Sequence, residues 1–127
     1  MKYVKNKIFV VLLVVFGLLL TGCESSEVIK DVTIDELSEI LNEEYQFVDV
    51  RTREEYIENN IEEFDINIDF YMFSKDNSLL NSLDKDKPVV LICRSGNRSS
   101  QSAKILEEEG FSSIYNVLGG MNGWNKG

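Results

Sequence analysis

Apolar and polar positions in the first half of the chain alternate between helical and strand-like spacing. Thr33-Ile34-Asp35-Glu36 is a capping-box sequence, and the apolar positions that follow fall on one helix face (Ile34, Leu37, Ile40 and Leu41). Gln46–Val50 is a short apolar run that predicts a buried strand, and Thr52-Arg53-Glu54-Glu55 after it is a second capping box. The pattern therefore predicts a helix, a strand and a second helix.

The second half of the chain repeats this alternation. Val89–Ile92 is uncharged, rich in β-branched residues and preceded by the only proline, which predicts a strand. A polar loop, Cys93–Arg98, leads into a helix predicted at Ser99–Glu109, and another strand is expected at Ser113–Leu118. Two weaker patterns indicate a brief strand at Ile66–Ile68 and a helix at Phe70–Leu83, whose middle, Ser74–Ser78, is ambiguous. Strands that alternate with helices favour an α/β fold, a three-layer sandwich with helices on both faces of a parallel sheet.

The composition narrows the possible chemistry. The 127 residues suffice for one domain, and 43% apolar residues suffice for a core. The formal net charge of −9 argues against nucleic acid as a partner. The absence of histidine excludes Cys-His and Ser-His catalysis and haem ligation by histidine, and two cysteines are too few for a cysteine-only metal site. We therefore expect chemistry without a metal or cofactor.

Residues 1–22 have the pattern of a bacterial signal peptide. Three lysines in the first seven positions precede the apolar run Ile8–Leu20, whose 13 residues are fewer than the ~20 that span a bilayer. The run ends in Leu20-Thr21-Gly22-Cys23, which resembles the lipobox of bacterial lipoproteins, in which the cysteine receives a lipid and becomes the first residue after cleavage. We expect a lipid on Cys23, a polar tether over residues 23–31 and an extracytoplasmic domain held at the membrane. An ordinary signal peptide that contains a cysteine is the alternative.

A lipid on Cys23 has a chemical consequence. Cys93 would be the only free thiol, so no internal disulfide forms and no second cysteine resolves an oxidised or sulfurated Cys93. Cleavage after residue 22 would leave 10 basic and 22 acidic residues, a formal charge of −12. In so acidic a domain, each remaining arginine is of interest.

Cys93 lies between a predicted strand and a predicted helix. In a parallel sheet this position is at the carboxyl edge, where such sheets bind ligands, and the helix N-terminus directs free backbone N–H groups into the loop. Arg94 and Arg98 add positive charge, and together these features favour a reactive thiolate without an imidazole base. Taken alone, an isolated cysteine is more often a small core residue, and the two arginines would suit solvent or surface carboxylates.

Three groups of residues resemble the motifs of the rhodanese family, in the same order. They are Phe47-Val48-Asp49-Val50-Arg51 with Glu54-Glu55-Tyr56, the loop Cys93-Arg94-Ser95-Gly96-Asn97-Arg98-Ser99, and a closing group at Gly110-Phe111, Asn116-Val117 and Gly119-Gly120-Met121 through Trp124. The resemblance covers roughly residues 32–127. It implies a rhodanese-like domain with a five-stranded parallel sheet, flanking helices and a loop that receives sulfur.

This resemblance implies a sulfurtransferase of the thiosulfate type. Cys93 would attack the outer sulfur of an anionic donor such as thiosulfate, become a persulfide and pass the sulfur to cyanide or an external thiol, for which a thioredoxin-like protein is one candidate. The residues that would bind donor and persulfide are Arg94, Ser95, Gly96, Asn97, Arg98 and Ser99. Arg94 would attract the donor's oxyanion, while Arg98 and the loop amides would hold the persulfide. Asp49 and Arg51 resemble the family's supporting pair, with a structural role first.

The stretch Asn59–Ile68 departs from the family pattern. Many members have Gly-His-Ile and then Gly-Ala before an Asn-Ile, whereas the glycine, the histidine and the small pair are missing here and one residue is inserted. We expect an altered loop at this place. It would affect the rim of the substrate site and leave the nucleophile unchanged.

Two other functions fit part of the pattern. A cysteine-dependent phosphatase or arsenate reductase requires an arginine six positions after the cysteine, but Ser99 occupies that position. The shorter loop suits a single sulfur atom better than a phosphoryl group. The second alternative is a lipid-tethered module that carries persulfide or binds a partner without turnover, although the intact loop argues against an inert scaffold.

Overall fold

The computed structural model describes residues 27–127, which contain a five-stranded parallel sheet. The strands lie in the order β1-β5-β4-β2-β3, and each neighbouring pair runs parallel. Their bounds are Ile29–Val32 (β1), Gln46–Asp49 (β2), Ile66–Asn67 (β3), Val89–Ile92 (β4) and Ile114–Val117 (β5). The predicted α/β fold and the five-stranded parallel sheet are confirmed.

Helices connect the strands, and two of them begin where the capping boxes predict. Within residues 27–127 they are α1 (Ile34–Ile40), α2 (Arg53–Glu58), α3 (Phe70–Phe73), a 3-10 helix (Asn77–Ser82), α4 (Asn97–Glu108) and α5 (Gly120–Trp124). Both capping boxes form: Thr33 and Thr52 each accept the N–H of the glutamate three positions later, whose carboxylate accepts the N–H of the threonine. These local signals fix the entry into α1 and α2.

The central strand β4 is buried on both faces. Because successive side chains of a strand point to opposite faces, Val89 lies in one core and Val90 in the other. Leu106 of α4 packs into the first core, and Leu37 of α1 packs into the second. Helices therefore cover both faces of the sheet, as the three-layer prediction requires.

The first strand begins inside the segment that is predicted to be a tether. Ile29, Lys30 and Asp31 belong to β1 and pair with β5 in parallel. The sheet therefore begins within the predicted tether 23–31, three residues before the predicted domain start at residue 32. The polar middle of β1 looks like a linker because an edge strand leaves such residues exposed.

The N-terminal predictions concern residues of which the structure describes only a part. The signal peptide at 1–22 and the lipidated Cys23 lie outside the described residues 27–127. No helix in the described range is long and apolar enough to cross a membrane.

The helix predicted over Phe70–Leu83 is interrupted in its middle, where the sequence pattern is ambiguous. α3 ends at Phe73, and Asp76 then starts the 3-10 helix by accepting the N–H of Ser78. An aspartate that bonds to the backbone two residues on favours a new helix start over a continuous helix. Phe73 and Leu80 still pack into the same core, which explains why the apolar pattern resembles one helix.

The turn after β5 holds the loop after β4. These two strands are neighbours, so their carboxyl ends lie side by side. The N–H of Met121 donates to the carbonyl oxygen of Cys93 at 2.8 Å, and the N–H of Asn122 donates to that of Arg94 at 2.9 Å. Gly120 has a φ of +52° and lies against these carbonyls, where an added Cβ would overlap the Cys93 oxygen. The close approach of the two segments therefore requires glycine.

We predict that Gly120→Ala destabilises the domain more than Gly110→Ala. Both glycines have positive φ, but a Cβ on Gly110 meets no atom within 4 Å. The backbone cost of about 1 kcal/mol is common to both variants, and the overlap at Gly120 adds about 1–3 kcal/mol. Urea unfolding followed by circular dichroism measures both free energies of unfolding. Equal losses would contradict the tight contact between the turn and the loop.

Candidate active site

The thiol of Cys93 is enclosed by its own loop. Cys93 follows β4 and is 1% exposed, and the backbone N–H of Gly96 donates to its Sγ at 3.0 Å. Gly96 adopts a φ of +105°, so the chain turns back and directs this N–H at the sulfur. A backbone donor at this position stabilises negative charge on sulfur. Of the loop amides that the sequence predicts around the sulfur, that of Gly96 donates to Sγ.

Ser99 provides a second polar contact for the sulfur. The thiol of Cys93 donates to Ser99 Oγ at 3.4 Å, and that hydroxyl donates to the carbonyl oxygen of Gly96 at 3.2 Å. Because a hydroxyl is both donor and acceptor, it can rotate and donate to the sulfur once the thiol proton has left. Ser99 is fully buried, so this arrangement is shielded from solvent.

The helix after the loop starts earlier than predicted, at Asn97 and not at Ser99. Asn97 and Arg98 therefore occupy its first turn, where backbone N–H groups have no partner within the helix. The side chains of Ser95 and Asn97 are exposed, and Asn97 Oδ1 accepts from Gln101. Within residues 27–127, the hydrogen bonds of the Cys93 sulfur involve Ser99 and Gly96 and neither of these two side chains.

Arg98 is engaged by Glu55. Its guanidinium donates to both carboxylate oxygens, at 2.7 and 3.0 Å, and its Cζ lies 5.6 Å from the ring centre of Tyr71. The hydrogen bond to Glu55 is the main reason that the pKa of Arg98 is raised, and the charge of Cys93 adds to the effect. The sequence predicts that Arg98 holds the persulfide. Two of its donors bind Glu55, and its positive charge lies close enough to Cys93 for the two groups to interact electrostatically.

Glu55 is the functional residue that the sequence analysis misses. One carboxylate oxygen closes the capping box of α2, both bind Arg98, and one lies 3.8 Å from Nε of Arg94. The hydrogen bond from Arg98 is the largest of the effects that lower the pKa of Glu55 to about 2. In the sequence, Glu55 belongs to a capping box and to the first rhodanese-like motif, and neither pattern indicates its partner. Its contact with Arg98, 43 residues away, requires the fold.

Asp49 and Arg51 form a buried ion pair that supports α2. The Nη2–Oδ2 distance is 2.7 Å, and Asp49 and Arg51 are 0% and 4% exposed. Arg51 also donates to the carbonyl oxygens of Glu55 and Asn59, at 3.3 and 2.6 Å. The pair thus connects β2 with the end of α2, in agreement with the structural role that the sequence suggests.

The divergent stretch Asn59–Ile68 is hydrogen-bonded to the backbone of the Asp49–Arg51 pair. Asn67 Nδ2 donates to the carbonyl oxygens of Asp49 and Arg51, at 3.0 and 2.9 Å. Ile61 and Phe64 are buried in the core, and the Tyr56 hydroxyl donates to the carbonyl of Phe64 at 2.7 Å. The loop therefore keeps a defined conformation without the family's glycine and histidine.

A small cleft of about 180 Å³ opens beside the loop. The residues that line it come from three places, namely α2 with its flanking residues, the Cys93 loop, and α5 with the residue after it. They are Arg51, Glu55, Glu58, Asn59, Arg94, Met121, Asn122 and Asn125. Within residues 27–127, no group of three or more cysteine, aspartate or glutamate side chains is arranged to hold a metal ion.

The low pKa of Glu55 predicts how stability depends on pH. A carboxylate with a pKa of 4.5 when unperturbed and about 2 in the folded protein stabilises the fold above pH 4.5, and this contribution is lost as the pH falls towards 2. We expect Glu55→Gln to be less stable than wild type at neutral pH, with a difference that shrinks as the pH falls through this window. Urea unfolding at several pH values measures it.

Glu54→Gln is the matched control, since Glu54 is exposed on the same helix. Its difference from wild type should stay small at every pH. A Glu55→Gln difference that stays constant from neutral pH to about pH 2 would contradict the ion pair with Arg98.

Comparison with known proteins agrees with this geometry. The model of the rhodanese-like domain family matches residues 33–127. The "putative sulfurtransferase YtwF" of Bacillus subtilis strain 168 is 39% identical over 98 residues, which cover 76% of this chain and 90% of that protein. The thiosulfate sulfurtransferase GlpE of Actinobacillus pleuropneumoniae serotype 3 is 40% identical over 47 residues, 37% of this chain and 44% of that protein.

A solved structure gives the same result for the fold. The rhodanese-like domain protein of Staphylococcus aureus has a TM-score of 0.64 and 37% identity to this chain, and the match covers 75% of this chain and 90% of that one. The range that the family model matches, residues 33–127, includes the Cys93 loop, the Asp49–Arg51 pair and the closing turn. The chain therefore belongs to the rhodanese-like family.

Proposed function

We propose that this protein is a sulfurtransferase that moves sulfane sulfur from an anionic donor such as thiosulfate to a thiol or cyanide through a persulfide on Cys93. The observation that carries the proposal is the setting of Sγ, which accepts the Gly96 N–H at 3.0 Å beside the first turn of α4. Donors of this kind stabilise a negative sulfur in both the thiolate and the persulfide state.

The first half-reaction needs no cofactor. The Cys93 thiolate attacks the outer sulfur of thiosulfate, a new S–S bond forms, and the bond between the two donor sulfur atoms breaks. The electron pair of that bond leaves with sulfite, so the products are the Cys93 persulfide anion and sulfite. Arg94 is 64% exposed and is the cation best placed to attract the donor's oxyanion.

The second half-reaction uses an external acceptor. Cys93 is the free cysteine of residues 27–127, so that part of the chain has no second thiol to take the sulfur. An acceptor thiolate or cyanide attacks the outer sulfur of the persulfide and restores the Cys93 thiolate. A low-molecular-weight thiol or a thioredoxin-like protein fits this step.

We also propose that the domain is anchored outside the cytoplasm by a lipid on Cys23. The support is the order of a basic start, a 13-residue apolar run and Leu20-Thr21-Gly22-Cys23. A lipid thioether would occupy the Cys23 thiol and keep it from forming a disulfide with Cys93.

The proposed persulfide predicts a change in the mass of the peptide that contains Cys93. We expect the peptide that contains Cys93 to gain the mass of one sulfur atom after treatment of the protein with thiosulfate, and to lose it on addition of cyanide or a thiol. Mass spectrometry before and after treatment measures both steps. The gain should be absent in Cys93→Ser, which retains a small polar side chain in the same place.

Circular dichroism of wild type and Cys93→Ser checks that both are folded. If the folded, reduced wild-type protein gains no sulfur from thiosulfate or from inorganic polysulfide, the persulfide mechanism is wrong. A gain from polysulfide alone would keep the persulfide and exclude thiosulfate as the donor.

The proposed lipid on Cys23 predicts where the protein is found in the cell. The full chain expressed in bacteria should sediment with membranes and take up a labelled fatty acid, whereas Cys23→Ala should take up none. Cys93→Ala serves as the control, because it removes the other cysteine and should keep the label. Equal labelling of wild type and Cys23→Ala would show that Cys23 carries no lipid.

A further inference from the structure

The cleft beside the Cys93 loop has a size that suits a small ligand. Its volume of about 180 Å³ is below the ~300 Å³ at which pockets for drug-sized molecules begin. Arg94, which follows Cys93 in sequence, is one of the lining residues. Met121 also lines the cleft, and its N–H donates to the carbonyl of Cys93, so two lining residues adjoin the backbone of Cys93.

Two of the charges around the cleft are already neutralised. Arg51 is paired with Asp49 at 2.7 Å, and its remaining donors bind carbonyl oxygens. Glu55 is held by both donors of Arg98, and its low pKa keeps it ionised. Neither residue has a net charge left to attract a ligand.

Two opposite charges remain available. Arg94 is 64% exposed, and within residues 27–127 its carboxylate contact is the 3.8 Å approach to Glu55. Glu58 is exposed, and no ion pair or side-chain hydrogen bond involves it in that range. The cleft therefore presents one cation, Arg94, and one anion, Glu58, to a ligand.

Side-chain amides complete the walls. Asn59 Nδ2 donates to Asn125 Oδ1 at 3.2 Å, which joins the C-terminal ends of α2 and α5 across the cleft. Asn122 adds a third amide. An amide offers both a donor and an acceptor, so it can bind an ammonium group or a carboxylate equally well.

We infer that this cleft binds the sulfur acceptor, and that the acceptor is a small zwitterionic thiol of the amino-acid type, with its carboxylate at Arg94 and its ammonium group at Glu58. The inference rests on the proposed persulfide on Cys93. It adds the chemical class of the acceptor and the residue, Glu58, that selects it.

The transfer step balances without an oxidant or reductant. The outer sulfur of the persulfide lies about 2 Å beyond Sγ, the length of an S–S bond, and is the atom that an acceptor in the cleft approaches. The acceptor thiolate forms a bond to this sulfur, and the bond to Sγ breaks. Its electron pair stays on Cys93 as thiolate, and the acceptor leaves as a persulfide.

The test uses four thiols that differ in charge: cysteine, cysteamine without the carboxylate, 3-mercaptopropionate without the ammonium group, and neutral 2-mercaptoethanol. The full chain in detergent micelles is loaded with thiosulfate or inorganic polysulfide, and mass spectrometry follows loss of sulfur from Cys93. Each rate is divided by the 2-mercaptoethanol rate of the same variant. Comparing this ratio with wild type removes the intrinsic reactivity of each thiol.

Glu58→Gln should lower the ratios for cysteine and cysteamine about two- to fivefold, the range of a partly exposed ion pair, and should not lower that for 3-mercaptopropionate. Glu58→Lys should raise the ratio for 3-mercaptopropionate and lower that for cysteamine further. Glu54→Gln, exposed on the same helix and outside the cleft, should leave all ratios unchanged.

The outcomes separate the two proposals. If no persulfide forms with either donor, the proposed function fails, and the inference fails with it. If the persulfide forms but Glu58→Gln leaves the ratios unchanged, or none of the four thiols removes the sulfur, the acceptor is not recognised by these charges. The inference is then overturned while the persulfide mechanism stands.

Discussion

The direction of two peptide groups determines what the Cys93 loop can do. The amides of Met121 and Asn122 hold the carbonyls of Cys93 and Arg94 towards α5. The N–H of a trans peptide points opposite to its carbonyl, so the amides of Arg94 and Ser95 point away from the groups that hold these carbonyls. The chain then reaches Gly96, whose N–H donates to Sγ. Gly120 allows the approach, because any side chain there would overlap the carbonyls. The course of the loop that places this donor thus depends on contacts with a neighbouring turn.

The site also depends on how charge is distributed around the Cys93 loop. The protein is acidic, yet each arginine near Cys93 has a distinct environment: Arg51 is buried against Asp49, Arg98 is paired with Glu55, and Arg94 is mainly exposed. Buried or half-buried pairs fix geometry more than they add stability, because desolvation offsets much of their attraction. Arg51 and Arg98 therefore stabilise the local structure, whereas Arg94 remains available to a ligand.

The sequence predicted the features that arise from neighbouring residues. The Val89–Ile92 strand, both capping boxes and the position of Cys93 at a strand end are local, and the structure contains all of them. The features that it missed depend on distant partners. β1 is a strand because β5 lies beside it, and the polar residues Lys30 and Asp31 gave no strand signal. Glu55 belongs to a capping box and to the first family motif, but nothing near it in sequence indicates that Arg98 will reach it.

The parallel sheet also gives the domain a direction. The chain enters at the amino end of β1, whereas the Cys93 loop lies at the carboxyl ends of the strands, on the opposite edge. Only the five residues 24–28 separate Cys23 from Ile29, and the six residue steps between them reach at most about 22 Å even when fully extended. A lipid on Cys23 would therefore hold the amino edge close to the bilayer and turn the reactive sulfur outward, towards molecules arriving from the aqueous side.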